Sequence, residues 1–205
     1  DLIPVTTLLS WMGAVAMIVG SVVAIAQKDI KRMLAYSSVA QIGYIVLGIG
    51  LANRMGLTGG LLHIVNHAFM KGCLFLVAGA IVYRTGFRHI SDFRNLSTKM
   101  PWTAATFTVA AFSMIGIPPT GGFFSKLYLL IGAVDAEQWV FVGLILFSST
   151  LALVYLGNVI RYMYFQKDEA GSESVEGIGL AEHVKNEAPL TMLAPMLALA
   201  AGIML

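Results

Sequence analysis

The stretch L61-L-H-I-V-N-H-A-F-M-K-G-C-L-F-L-V-A-G79, residues 61–79, is apolar enough for the interior of a bilayer, yet it carries His63, His67 and Lys71 at intervals of four. At 100° per residue each step of four advances only 40°, so the three side chains form one stripe about 12 Å long on a helix. Such a stripe faces a bundle interior or a hydrated cavity, because an ionisable group at mid-membrane costs at least ~2.5–3.5 kcal/mol on insertion scales. Whether residues 61–79 belong to a spanning helix therefore decides the fold.

Composition says that they do. The 205 residues are 58% hydrophobic and only 12% charged, with a mean hydropathy of +0.80. Soluble domains carry about a quarter charged residues, so the deficit points to a membrane protein. The single cysteine, Cys73, excludes a disulfide framework or a CxxC metal site within the chain. A net charge of +2 with scattered basic residues gives no nucleic-acid patch. Residue 1 does not read as the start of a signal peptide. The chain begins at Asp1 and stops at Leu205 inside an apolar run, which reads as part of a longer protein.

A spanning helix needs about 20 largely apolar residues. Five stretches qualify, at roughly 4–27, 33–53, 56–83, 101–134 and 139–165, and a sixth starts near 188 and runs off the end. At ~1.5 Å per residue the fourth would measure about 51 Å, too long for one crossing of a ~30 Å core. Its middle reads GIPPTGG, 116–122. Pro118 and Pro119 remove backbone donors, and Gly116, Gly121 and Gly122 add slack, so two half-helices joined by an unwound segment are expected. Residues 167–187 form a polar, water-facing loop, with a short surface helix expected near its end. No internal repeat or low-complexity tract is visible.

Loop charges give the orientation. Alternate connections hold Lys28, Lys31 and Arg32, then Arg84, Arg88, Arg94 and Lys99, then Arg161, Lys167 and Lys185; the intervening ones hold only Arg54. The positive-inside rule reads the first set, with the 167–187 loop, as cytoplasmic. Of the thirteen Lys and Arg, only Lys71 and Lys126 are left over, both within apolar runs. The expectation is an all-α, polytopic transmembrane helix bundle with one discontinuous helix.

Histidine exchanges protons near neutral pH, so the 63–71 stripe suits proton transfer. The competing reading makes it interhelical glue, with the lysine paired to a carboxylate elsewhere. A metal on HxxxH lacks an evident third ligand. Lys126 follows the break in PPTGGFFSK, where unwound backbone within a membrane marks water or an ion site; a packing kink with an outward lysine is the alternative, and Ser125 and Tyr128 do not decide between them. Ser37, Ser38, Gln41 and Tyr44 in DIKRMLAYSSVAQIGY, 29–44, suit either helix–helix hydrogen bonds or water lining, as do Asn66 and Asn158.

Taken together, DIKRMLAYSSVAQIGY (29–44), HIVNHAFMKGCLFLVAGAIVY (63–83) and MPWTAATFTVAAFSMIGIPPTGGFFSK (100–126) resemble the antiporter-like subunits of respiratory complex I. That family includes subunits of Mrp-type cation/proton antiporters, membrane-bound hydrogenases and formate hydrogenlyases. The resemblance covers residues 1 to about 166 well and the rest loosely. It implies fourteen helices built from two inverted repeats of five, each with one broken helix, of which this chain resembles helices nine to fourteen with the last truncated. By the same resemblance Lys71 matches the central-axis lysine of the second repeat, and Lys126 the lysine after its broken helix in the outlet half-channel. His63 and His67 match the connecting polar axis, and Lys31 a basic position at a helix start. The first repeat, with its glutamate and lysine, has no counterpart here. Lysine at position 126 argues against the subtype that has glutamate there.

The resemblance implies proton translocation as a subunit of a redox-driven complex of the NADH-quinone reductase or hydrogenase kind, in a bacterial or archaeal cytoplasmic membrane. The alternatives are an Mrp-type sodium/proton antiporter subunit and, from another class, a structural scaffold without its own ion path. The chain has no cysteine set for clusters and no GxGxxG after a strand, so no cofactor and no redox catalysis of its own are expected. The partners implied are the lipid bilayer, other membrane subunits, and H+, or Na+ in the antiporter case.

Overall fold

The computed structural model describes residues 4–166 and 187–204, and among them every regular element is helical apart from a single bridge pair. The helices are α1 (Val5–Ile25), α2 (Ile30–Gly50), α3 (Arg54–Thr85), α4 (Leu96–Lys99), α5 (Pro101–Ile115), α6 (Gly121–Asp135), α7 (Trp139–Tyr164) and α8 (Leu190–Met204). Four of them, α1, α2, α3 and α7, are long and apolar enough to cross a membrane. Lys167 and Lys185, with the rest of 167–186, lie outside the described residues, and so does the surface helix expected there.

Local chemistry sets the ends. α2 begins earlier than its apolar run because the Asp29 side chain accepts from the Arg32 N–H, capping the first turn. Asn53 does the same for α3 through the Gly56 N–H, and Gly86, at φ 73°, closes it in the left-handed conformation. At the start of α5 the cap comes from far along the chain: Glu187 Oε2 accepts from Trp102 N (2.9 Å), and Glu187 Oε1 accepts from Thr103 N and its hydroxyl. Residue 187, read from sequence as the end of a free loop, thus anchors one helix to the entry of another. The 84–100 connection is structured as well. It holds a 3-10 turn (Ile90–Phe93) and α4, and Ile90, Phe93, Leu96 and Met100 are buried in the main core.

The helix ends gather at two faces. On one, backbone bonds from Ile30 N to Arg88 O (3.0 Å) and from Ile90 N to Lys28 O (2.9 Å) tie the α1–α2 and α3–α4 connections together. Asn95 N donates to Gln166 O (3.0 Å) on the same side. This basic face carries Lys28, Lys31, Arg32, Arg84, Arg88, Arg94, Lys99 and Arg161. On the opposite face Asn53 Nδ2 donates to Gly132 O (2.6 Å), and Trp11 packs edge-on against Phe141.

Without a hydrophobic drive between helices in lipid, close approach depends on small residues. α1 and α2 meet through Gly13 and Gly43, where an added Cβ on Gly13 would lie 2.7 Å from the Gly43 carbonyl oxygen. The tightest place is the broken helix. α5 ends at Gly116, φ 95°, and α6 turns back so closely that a Cβ on Gly122 would collide with the Ser113 carbonyl. Gly122→Ala should therefore displace α6 from α5, at a cost of about 1–3 kcal/mol typical of overpacking. A lower melting midpoint of the assembled protein in detergent is the expected readout; an unchanged midpoint would show that the break can yield.

Candidate functional site

The site grows out of the broken helix. In an α-helix the carbonyls of Met114 and Ile115 would accept from the N–H groups of residues 118 and 119. Both positions are proline, which has no N–H. Lys126, one turn into α6, supplies the missing donors: its Nζ donates to Met114 O (2.8 Å) and Ile115 O (3.0 Å). The end of a helix carries partial negative charge, so an ammonium there is also favoured electrostatically. The Lys126 side chain is 4% exposed and completes its shell by donating to Ser149 Oγ (3.1 Å) and lying 4.7 Å above the Tyr44 ring. The outward-snorkelling alternative for Lys126 is excluded by this geometry.

His63 is fully buried one helix away. Its Nδ1 lies 2.9 Å from Ser125 Oγ and its Nε2 2.9 Å from Gln41 Oε1. The ring is tilted against Tyr44 at 5.4 Å, and the Tyr44 hydroxyl reaches Ser149 Oγ and Ile145 O, each at 3.3 Å. Gln41, Tyr44, His63, Ser125 and Lys126 therefore form one cluster drawn from α2, α3 and α6, closed by Ser149 of α7.

Lys71 points to the other end of α2. Its Nζ, on a residue 6% exposed, donates to Leu34 O (2.8 Å) and to Ser37 Oγ. Ser37 and Gln41 are one turn apart on α2, about 6 Å along the axis, so the Lys71 and His63 ends sit on the same edge of that helix. Tyr155 of α7 bridges the interval, its buried hydroxyl facing both Ser37 and Gln41. Among the described residues, all hydrogen-bond partners of the two buried ammonium groups are neutral oxygens. The carboxylate partner considered for Lys71 from sequence is not found among them.

The other sequence candidates divide. Asn66 Nδ2 donates to Gly121 O (2.7 Å) and so fastens α3 to the start of α6 rather than joining the polar line. Ser38 bonds back to Leu34 O within its own helix (3.0 Å). Lys31 is exposed on the basic face, and Asn158 accepts from Arg161 Nη2 (3.1 Å) there. His67 is half-buried, and its Nε2 has no partner among the described residues. Sequence reasoning missed Ser149 and Tyr155, and left Ser125 undecided. The hydroxyl-rich FSST at 147–150, within an otherwise apolar span, was the available signal.

The hydrogen bonds around His63 allow two charge states. With Gln41 Oε1 as acceptor, Nε2 carries a proton in both. In the neutral ring Nδ1 accepts from the Ser125 hydroxyl. In the imidazolium Nδ1 donates to Ser125 Oγ, whose own proton turns to Gly122 O, 3.1 Å away. Either state is fully bonded, so the site accommodates a proton gained or lost at Nδ1 with the rotation of one hydroxyl.

Known proteins share this architecture. Residues 3–152 match the family described as NADH:quinone oxidoreductase/Mrp antiporter, TM. The chain belongs to this family. It is 47% identical over 203 residues to NADH-quinone oxidoreductase subunit N of Desulforudis audaxviator (strain MP104C), covering 98% of this chain and 40% of that protein. It is 38% identical over 173 residues to F(420)H(2) dehydrogenase subunit N of Methanosarcina mazei, covering 80% of this chain and 35% of that one. In three dimensions it superposes with a TM-score of 0.84 and 33% identity on a chain of the membrane-bound sulfane sulfur reductase, an archaeal respiratory membrane complex, over 97% of this chain and 31% of the other. The chain thus spans less than half the length of these relatives.

Two predictions follow from the bonding. Lys126→Met strips Met114 O and Ile115 O of their donors, at about 1–3 kcal/mol per buried group, whereas Lys71→Met leaves Leu34 O bonded by hydroxyls of its own helix. Thermal melting should therefore fall further for Lys126→Met than for Lys71→Met; equal midpoints would contradict the asymmetry. Ser125→Ala removes the hydrogen bond to His63 Nδ1, worth about 0.5–1.5 kcal/mol with a neutral ring, and should lower the melting midpoint; an unchanged midpoint would show that the bond adds no stability.

Proposed function

We propose that this chain carries one half of a proton path through the membrane, in a subunit of a larger complex. One observation carries the reading: a line of buried polar groups, Lys71–Ser37, then Gln41–His63–Ser125, then Lys126 at the helix break, of which the lysines, the imidazole and the hydroxyls can give and take protons. A bilayer interior penalises every one of these groups, and packing alone is satisfied by apolar side chains. In this proposal Lys71 and His63 relay protons along the midplane. Lys126 passes them on past the end of α5 to the face opposite the basic loops. His67, beside them on α3, joins when a donor reaches its free ring nitrogen.

The same line argues for protons rather than sodium as the travelling ion, although the family's description covers both kinds of complex. Two ammonium groups with neutral partners place positive charge on the path. A proton replaces one already there by hopping, whereas a bare sodium ion adds a second cation. Electron transfer, where the complex performs it, takes place in other subunits and is coupled to this one through charge and conformation; the similarity to a subunit of NADH-quinone oxidoreductase supports that setting.

The test is proton pumping by vesicles that contain the assembled complex with Lys71→Met, with assembly followed on a native gel. Normal assembly with pumping reduced at least tenfold supports the relay. Normal assembly with unchanged pumping would make the stripe a packing feature. Sodium-driven rather than redox-driven proton movement would place the chain on the antiporter side of its family.

A further inference from the structure

Tyr155 is not used by the relay as described, yet it occupies the gap in it. The residue is 3% exposed, its hydroxyl faces Ser37 and Gln41, and that hydroxyl makes no hydrogen bond among the described residues. Buried hydroxyls are almost always bonded to protein or to water. On its other side Tyr155 lines a cavity of about 390 Å³ together with Ala24, Met33, Gly157, Asn158 and Arg161. A second cavity of about 420 Å³ shares Gln27, Ile90 and Asn158 with the first and adds Lys28 and His89. The two adjoin at the basic face, and the first is lined both by exposed Asn158 and Arg161 and by buried Tyr155. Both volumes have room for several waters, and Gln27, Asn158 and Arg161 offer polar partners in the walls.

We propose that these joined cavities are a water-filled inlet from the basic face, and that the Tyr155 hydroxyl passes protons from it to the Ser37–Lys71 end of the path. The inference rests on the relay reading above and extends it: this chain then holds its own entry from the basic side besides its exit through the broken helix. The transfer balances as a hop. A hydronium ion in the cavity gives a proton to the Tyr155 oxygen as the phenolic proton leaves to Ser37 Oγ, the Ser37 proton passes to Lys71 Nζ in its amine state, and a neutral water is left behind. One proton advances, and Tyr155 and Ser37 are regenerated.

Two variants in the assembled complex test this, with Lys71→Met alongside. Gly157 lines the first cavity, and a Cβ there meets nothing within 4 Å, so Gly157→Cys fits. Its thiol should react with a charged, membrane-impermeant methanethiosulfonate added to the basic side, and the adduct should cut proton flux at least tenfold. Leu146→Cys, on an exposed apolar position of the same helix, should stay unlabelled. Tyr155→Phe keeps the ring and removes only an unbonded hydroxyl, so a structural role predicts unchanged flux; the inlet predicts at least a tenfold loss with the melting midpoint unchanged. A silent thiol at position 157 would show a lipid-filled groove and overturn the inlet. Full flux in Tyr155→Phe while Lys71→Met is dead would overturn the role of Tyr155 and leave the relay standing. Full flux in Lys71→Met would remove the relay and this inference with it.

Discussion

Two adjacent prolines take the donors away from two carbonyls at the centre of a membrane protein, and one lysine gives them back. The rest of the site depends on that exchange. Pro118 and Pro119 leave Met114 O and Ile115 O without helical partners, and no water is at hand in hydrocarbon to replace them. Lys126 meets both, so the ammonium and the orphan carbonyls cancel each other's desolvation cost. The same turn brings Ser125 under His63 and packs Gly122 on the Ser113 carbonyl, so the break fixes the imidazole as well as the lysine. A straight helix here would lose the chemistry and the packing together.

α2 plays the matching role for the rest of the line. It stays helical throughout, and its polar side chains rather than a break face the other helices. Ser37, Gln41 and Tyr44 recur at spacings of four and three, one edge of a helix, and each meets a group from α3 or α7. α7 completes the enclosure with Ser148, Ala152, Tyr155 and Val159, a buried stripe at the same spacing, in which Ser148 pairs with Ser21 of α1 at 3.2 Å. The polar line is therefore a seam between α2, α3, α6 and α7 that ends on the carbonyls of α5.

How far the sequence foretold this depends on the kind of signal. Spanning helices were legible because the penalty for polar groups in hydrocarbon leaves long apolar runs, and the break because PP within such a run has few other uses. His63, Lys71 and Lys126 stood out as exceptions to the same penalty. What stayed hidden were partners of ordinary appearance. Serines at 125 and 149 and a tyrosine at 155 occur in many spanning helices, and nothing in their local pattern says which neighbour they will meet. His67 shows the reverse limit: its four-residue spacing promised a stripe of three equal members, yet its Nε2 meets no partner among the described residues while the outer two side chains do. Glu187 was placed in a loop by composition, yet it caps α5, because the free N–H groups of a helix start attract any carboxylate the chain can bring to them.

The two lysines differ in how tightly they are held. Leu34 O accepts from Ser37 Oγ (2.9 Å) and Ser38 Oγ (3.0 Å) as well as from Lys71, so it remains bonded when Lys71 withdraws. Met114 O and Ile115 O have no such reserve, since the residues that would donate to them are prolines. A swing of Lys71 away from Ser37 therefore leaves no orphan carbonyl behind, whereas a swing of Lys126 leaves two. In the proposed relay the mobile carrier is then Lys71 and the fixed one Lys126, with His63 between them. In that proposal, one movable end and one anchored end let a change of charge at the first alter proton affinity at the second without moving the backbone, as a bundle of packed helices requires.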